Sequence, residues 1–249
     1  MSGSKSLVEL LDTKIKAVSK LEAVSEELLR RAVAAGRVVI PANVGHEPEP
    51  CGIGEGLRVK VNANIGTSPD HIDLDEELAK VEIALKYKTD AIMDLSIGGD
   101  IDDIRRTLLK NIKIPFGSVP IYQAGIEAMS RGKLVDMTED DIFGSFEKHA
   151  KDGVDFVVAH CGVTRESVER LKNQERLINM VSRGGSFHAS WIVHNEAENP
   201  LYKNYDYLLE IAKNYNMTLS LGDGMRSGCI NDANDRAKFQ ELLILGELV

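Results

Sequence analysis

Three cysteines in 249 residues, Cys51, Cys161 and Cys229, lie too far apart for any paired or zinc-type spacing. This scarcity argues against a disulfide framework or a cysteine metal motif and points to a reducing compartment. Positive charge is also in deficit, with 30 Lys and Arg against 39 Asp and Glu and a formal net charge of −9. A general binder of nucleic acid or anionic membrane needs the opposite balance, so an anionic ligand here must be held by local groups. No apolar run approaches the roughly 20 residues of a membrane span, and the opening Met1 to Lys5 lacks the apolar core of a signal peptide. A cytoplasmic protein is expected. The G-x-G-x-x-G fingerprint of a dinucleotide fold is missing from every strand-to-helix turn.

What is present is an ordinary globular composition, 43% hydrophobic and 28% charged, long enough for one large α/β barrel or two small domains. From about Leu7 to Ala35, the spacing of Leu10, Leu11, Ile15, Val18, Leu21, Val24, Leu28 and Leu29 predicts amphipathic helices. Gly36 is a plausible stop. The segment that follows, with Pro41, Pro48, Pro50, Gly45, Gly52, Gly54 and Gly56, is too rich in breakers for regular structure and reads as a connector. Residues 1–51 are therefore set apart from a main body over 52–249.

Beyond Leu57, short β-branched or apolar runs alternate with helical stretches, the pattern of parallel βαβ units. Six strands are predicted: Val59 to Ile65, Ala91 to Ile97, Pro115 to Tyr122, Asp155 to Cys161, Ile178 to Ser182, and Thr218 to Leu221. The last helix is expected to bury Phe239, Leu242, Leu243 and Leu248. The fold class is α/β, with a (β/α)8 TIM barrel favoured over a doubly wound sheet because polar residues gather at several different strand ends. A barrel needs eight units and about six are recognisable. The expectation is a truncated part of a longer protein, or a fold that something else completes.

The strand-end residues suit an anionic, hydrogen-bonding ligand. Arg183 stands beside Gly184 and Gly185 at a helix start, where free amides and the helix dipole favour an anion. Asp223, Gly224, Met225 and Arg226 follow the last strand in a glycine-rich turn able to hold sugar hydroxyls or a heterocycle. His160 ends a strand and reads in two ways, as a donor or base titrating near neutrality or, better in isolation, as a satisfied structural histidine. Asp94 and Ser96 read equally as caps of the next helix. The other histidines have no metal-type spacing. Catalytic groups are not identifiable.

Several strings together, Val61 to Gly66, Met93 to Ser96, Val119 to Ala124, Val181 to Gly185, and Ser220 to Gly224 with Arg226, resemble the thiamin pyrimidine synthase family, ThiC. The resemblance runs from about Gly52 to Val249. It implies a radical S-adenosylmethionine lyase on a (β/α)8 barrel, usually a homodimer, that rearranges 5-aminoimidazole ribotide into hydroxymethylpyrimidine phosphate. By motif it implies ribotide contacts at Asn64, Met93, Tyr122, His160, Ser182, Arg183, Gly184, Asp223, Gly224, Met225 and Arg226, with Ser182 to Gly184 clamping the phosphate.

The family's [4Fe-4S] cluster motif and its two zinc-type metal histidines would lie beyond Val249, so no metal ligand is assigned here, and the 249 residues alone would be inactive. Ile97 replaces a common Thr, and Ser227 replaces the Pro usual after the Arg. The resemblance extends equally to 5-hydroxybenzimidazole synthase of anaerobic cobamide synthesis, which uses the same ribotide and cofactor. A catalytically silent ribotide-binding module is a further alternative.

Overall fold

The computed structural model describes residues 7–249, so the opening segment Met1 to Lys5 lies outside the described residues. The amphipathic start forms α1 (Leu7–Glu22) and α2 (Glu26–Ala34), with Ser25 capping α2 through the Leu28 amide. Ile15, Val18, Leu29 and Val38 form a small separate core, while Leu11, Leu21 and Leu28 stay exposed. The connector is not devoid of regular structure, as its breakers suggested. Val38 buries against the two helices, and β1 (Val38–Val39) pairs antiparallel with β2 (Ile53–Gly54) across the expected boundary at residues 51 and 52.

The main body follows the alternating pattern. Strands β3 (Asn62–Ile65), β4 (Ala91–Asp94), β5 (Phe116–Ser118), β6 (Phe156–Ala159) and β7 (Thr218–Leu221) form a parallel sheet in that spatial order. Between them run α3 (Leu74–Lys86), α4 (Ile101–Asn111), α5 (Pro120–Arg131), α6 (Glu139–Asp152), α7 (Arg165–Lys172), α8 (Arg183–Asn195), α9 (Pro200–Lys203) and α10 (Tyr205–Tyr215), and α11 (Arg236–Leu248) follows β7. Asp73, Asp100, Thr138 and Thr164 each accept an amide at the start of α3, α4, α6 and α7, which fixes where those helices begin. Asp94 and Ser96 cap no helix. Asp94 takes both the amide and the hydroxyl of Ser96 in a buried turn. Ile92, Leu108, Phe116, Ile121, Ile142, Phe146 and Val157 fill the space between sheet and helices with no exposure. This is a parallel α/β layer of partial barrel type.

Three expectations are corrected. Ile178 to Ser182 forms no strand: only Met180 makes a bridge, to Ser227, and β6 pairs directly with β7. Five barrel strands are therefore present, not six. Ile178 and Val181 are 47% exposed, so the apolar run is not there to be buried. The third strand ends early because Pro120 opens α5, which suits a ring that fixes φ and lacks an amide proton. Tyr122 consequently stands in the first turn of a helix. The last helix is turned the other way, with Phe239, Leu242 and Leu243 exposed and Ala237, Glu241 and Ile244 buried.

The amino ends of the strands are tied to the connector through Asp155, which is fully buried. Its carboxylate accepts the amides of Asn43 and Phe116, each at 2.8 Å, and His46 Nδ1 at 2.8 Å. His46 Nε2 meets the Ile112 carbonyl at 3.0 Å. Both ring nitrogens face acceptors, so the imidazolium is the form that satisfies them. The bond to Asp155 raises the His46 pKa above its ordinary 6.5 against the opposing effect of burial. The folded state thus binds this proton more tightly than the unfolded chain. Its contribution is complete below about 6.5 and is lost as pH rises through the raised folded value. Thermal unfolding should show His46→Gln destabilising by about 1–3 kcal/mol at pH 6 and by less at pH 8.5. An equal cost at both pH values would contradict the assignment.

Candidate functional site

Because all five strands run parallel, their carboxyl ends open on one side of the molecule. Asn64 and Met93 are register partners near the ends of β3 and β4. Asn64 is exposed, and its Oδ1 accepts from Asn62 Nδ2 at 2.8 Å. Met93 is half-buried against the core. The structure places this pair on the β3 side of the sheet. The remaining candidates gather around β5, β6 and β7.

His160 follows β6 and is 3% exposed. Ser182, 1% exposed, caps α8 by accepting the Gly185 amide at 3.1 Å, and its Oγ lies 3.3 Å from His160 Nε2. The hydroxyl has both a proton to give and a second lone pair, so it pairs with Nε2 in either ring tautomer. Nδ1 is buried and has no partner among the described residues. The expectation that His160 titrates near neutrality is corrected. Burial, with the Arg226 charge adding to it, pushes its pKa down to about 4. The ring is neutral at pH 7, a hydrogen-bonding group and not a charged one.

The first turn of α8 is held against this ring by close approach. A Cβ on Gly184 would lie 2.3 Å from His160 Cε1, and one on Gly185 would lie 2.4 Å from the Gly224 carbonyl oxygen. Only glycine brings the helix start that near to β6 and to the turn after β7. The amides of Arg183 and Gly184 precede the first internal helix bonds, at the positive end of the helix dipole. Arg183 is exposed, with its guanidinium 5.1 Å from the centre of the Tyr122 ring. Tyr122 also meets Phe187 at 6.1 Å in a tilted pair.

The turn after β7 is built from within. Met225 is fully buried, so its side chain anchors the turn in the core. The Gly224 and Met225 amides both donate to Glu241, at 2.6 and 2.9 Å. Arg176 Nη2 donates to the Met225 carbonyl at 2.8 Å. Asp223 and Arg226 are left toward solvent, with Asp223 paired to Lys238 and Arg226 Nη1 donating to the Asp223 carbonyl at 2.8 Å. Asn199, fully buried, fixes the loop after β6 by donating to the His160 and Val163 carbonyls at 2.9 Å.

Glu241, Arg176 and Asn199 were missed in the sequence, as was His188, a fully buried neutral histidine 6.2 Å from the His160 ring. Glu241 had one trace, a single acid between Phe239 and Leu242 on a helix otherwise read as apolar. No group of three or more His, Cys, Asp or Glu side chains among the described residues is placed to hold a metal ion.

A helix start, an arginine over an aromatic ring, a buried neutral histidine and an acid–arginine turn lie around the carboxyl ends of β5, β6 and β7 of a partial barrel, the face on which barrel folds present their polar groups. The chain belongs to the Radical SAM ThiC family, whose profile matches residues 4–249. It is 58% identical over 234 residues to a phosphomethylpyrimidine synthase of Moorella thermoacetica, covering 93% of this chain and 54% of that protein. The corresponding enzyme of Pyrococcus furiosus is 53% identical over 242 residues, 96% of this chain and 56% of its own length. That of Methanococcus maripaludis is 52% identical over 236 residues, 94% and 55%. The chain thus spans about half the length of the curated relatives it matches.

Radical S-adenosylmethionine chemistry implies an iron–sulfur cluster. Cys51, Cys161 and Cys229 are free thiols that do not come together with other ligands, and burial pushes Cys161 up to about 12. The described residues do not fit such a cluster. The close packing predicts that Gly184→Ala displaces the His160 ring and destabilises the fold by about 1–3 kcal/mol in denaturant unfolding. An unchanged midpoint would show that the seam is looser than described.

Proposed function

We propose that the chain is the substrate-binding part of a radical S-adenosylmethionine synthase that converts 5-aminoimidazole ribotide into hydroxymethylpyrimidine phosphate. The observation that carries the reading is the gathering of Tyr122, His160, Ser182, Arg183 and the Asp223–Arg226 turn at one end of the sheet in a member of this family.

The ribotide has a phosphate, a ribose and an aminoimidazole, and each has a counterpart. The Arg183 and Gly184 amides with the Arg183 guanidinium suit the phosphate. Asp223 suits the ribose hydroxyls as an acceptor, and Arg226 adds positive charge beside it. His160, neutral with its Nδ1 unpaired, offers a hydrogen-bonding group to the aminoimidazole or the ribose. Asn64, Met93 and Tyr122 would close the site from the β3 side and from α5, and Gly224 and Met225 would contribute by holding the turn. Under this reading these residues bind and orient the ribotide and keep water from it. The iron–sulfur cluster, S-adenosylmethionine and zinc would be held by groups other than those described. The reading also includes a homodimer in the cytoplasm.

Arg183→Ala should weaken ribotide binding about ten- to a hundredfold in calorimetry while leaving thermal stability unchanged, since one charged hydrogen-bonding group is lost from an exposed position. Undiminished affinity would place the phosphate elsewhere.

A further inference from the structure

The turn that carries Asp223 and Arg226 is gripped by its backbone from two sides. Glu241, on α11 and fully buried, receives the Gly224 amide on Oε1 at 2.6 Å and the Met225 amide on Oε2 at 2.9 Å. From the other side Arg176, itself held by Asp235, donates to the Met225 carbonyl at 2.8 Å. Lys238 joins the acids, pairing with Asp223 and standing 3.7 Å from Glu241 Oε2. The loop after β6 meets the Glu241 stem with the uncharged backbone of Gly162. The charged groups on this side of Glu241 are Asp223 and Arg226 on the turn, Lys238 on its own helix, and Arg176 with Asp235 beyond the Met225 peptide, while α7, which packs along α11, keeps Arg165, Glu166, Glu169, Arg170 and Lys172 exposed.

We infer that Glu241 is a positioning residue that sets Asp223 and Arg226 by holding the Gly224 and Met225 amides, and that its hold is released by a proton. A carboxylate accepts both amides at full strength. Protonation turns one oxygen into a hydroxyl that donates to Asp223 and weakens as an acceptor for its amide, so the hold on the backbone is exchanged for a contact with the Asp223 side chain. Burial and the neighbouring Asp223 push the Glu241 pKa up to about 7, against the pull of the two amides. Asp223 is held below its ordinary range, its burial outweighed by the hydrogen bonds of Glu241 and Lys238. Of the two acids, Glu241 is the one that takes up the proton. The turn is thus formed above neutrality and loosened below it, and the ligand contacts of Asp223 and Arg226 follow. That last step rests on the ribotide reading.

The test is a pH titration of the Gly224 and Met225 amide resonances in the labelled 249-residue chain, with ribotide affinity measured by calorimetry over the same range. In the wild type both amides should shift with a midpoint near 7. Glu241→Gln, which accepts only one amide and does not titrate, should flatten both curves and weaken ribotide binding about tenfold at pH 8, with the difference from wild type closing at pH 6. The ligand's own phosphate ionisation remains in both proteins and cancels in that comparison. Lys238→Met keeps both amide contacts and removes the cation between the acids, so the amide midpoint should rise by about one pH unit. This second variant carries the test if Glu241→Gln does not fold. Wild-type amides that stay flat from pH 6 to 8, or a Lys238→Met midpoint that does not move, would overturn the inference. Titrating amides without ribotide binding would confirm the hold and remove only the ligand reading.

Discussion

The site depends on a seam where polypeptide backbones meet almost without side chains between them. Gly184 lies against the His160 ring, Gly185 against Gly224, and Gly222 against Val158 and the other edge of the same ring. These contacts draw the start of α8, the end of β6 and the turn after β7 into one unit. They matter more because Ile178 to Ser182 forms no strand, so the start of α8 has no sheet ladder behind it. Its position comes from packing on His160 and from the Ser182 cap. A dry seam also accounts for the neutral histidine, since excluding water makes imidazolium costly there.

The two ends of the sheet are put to different uses. At the amino ends, charge is spent on structure: the buried Asp155 gathers two amides and His46 and fastens the connector to the strands. At the carboxyl ends, buried charge holds backbone in place so that other polar groups are free. Glu241 and Arg176 take the peptide groups of the turn, and Asp223 and Arg226 are left facing outward. In barrel proteins, stability residues lie at one face and ligand residues at the other, and the ribotide reading follows that division.

Much of this was legible in the sequence. Four of the six predicted strands, Val59 to Ile65, Ala91 to Ile97, Asp155 to Cys161 and Thr218 to Leu221, contain β3, β4, β6 and β7, because each carries a short run rich in apolar or β-branched residues. The fifth, Ile178 to Ser182, has similar composition but no neighbour to pair with, and pairing is a property of the fold and not of the run. Asn64, Met93, His160 and Asp223 were readable as residues at or just beyond strand ends, whereas Tyr122 and Arg183 lie in first turns of helices. The groups behind them were not readable. Glu241 and Arg176 look like ordinary solvated charges until the turn they hold is in view, and α11 was read with its faces exchanged because a buried carboxylate between leucines runs against hydrophobic patterning. His160 was placed correctly at a strand end, and of its two readings titration near neutrality fails because burial, not position, sets its protonation.

The central claim is one ribotide site at the carboxyl ends of β3 to β7. Amide hydrogen exchange with and without 5-aminoimidazole ribotide tests it most directly. The account predicts slowed exchange in the segments around Asn64, Met93, Tyr122, Arg183 and Asp223, with no change around His46 and Asp155 at the opposite end. Protection confined to the amino ends of the strands, or none at saturating ribotide, would contradict it.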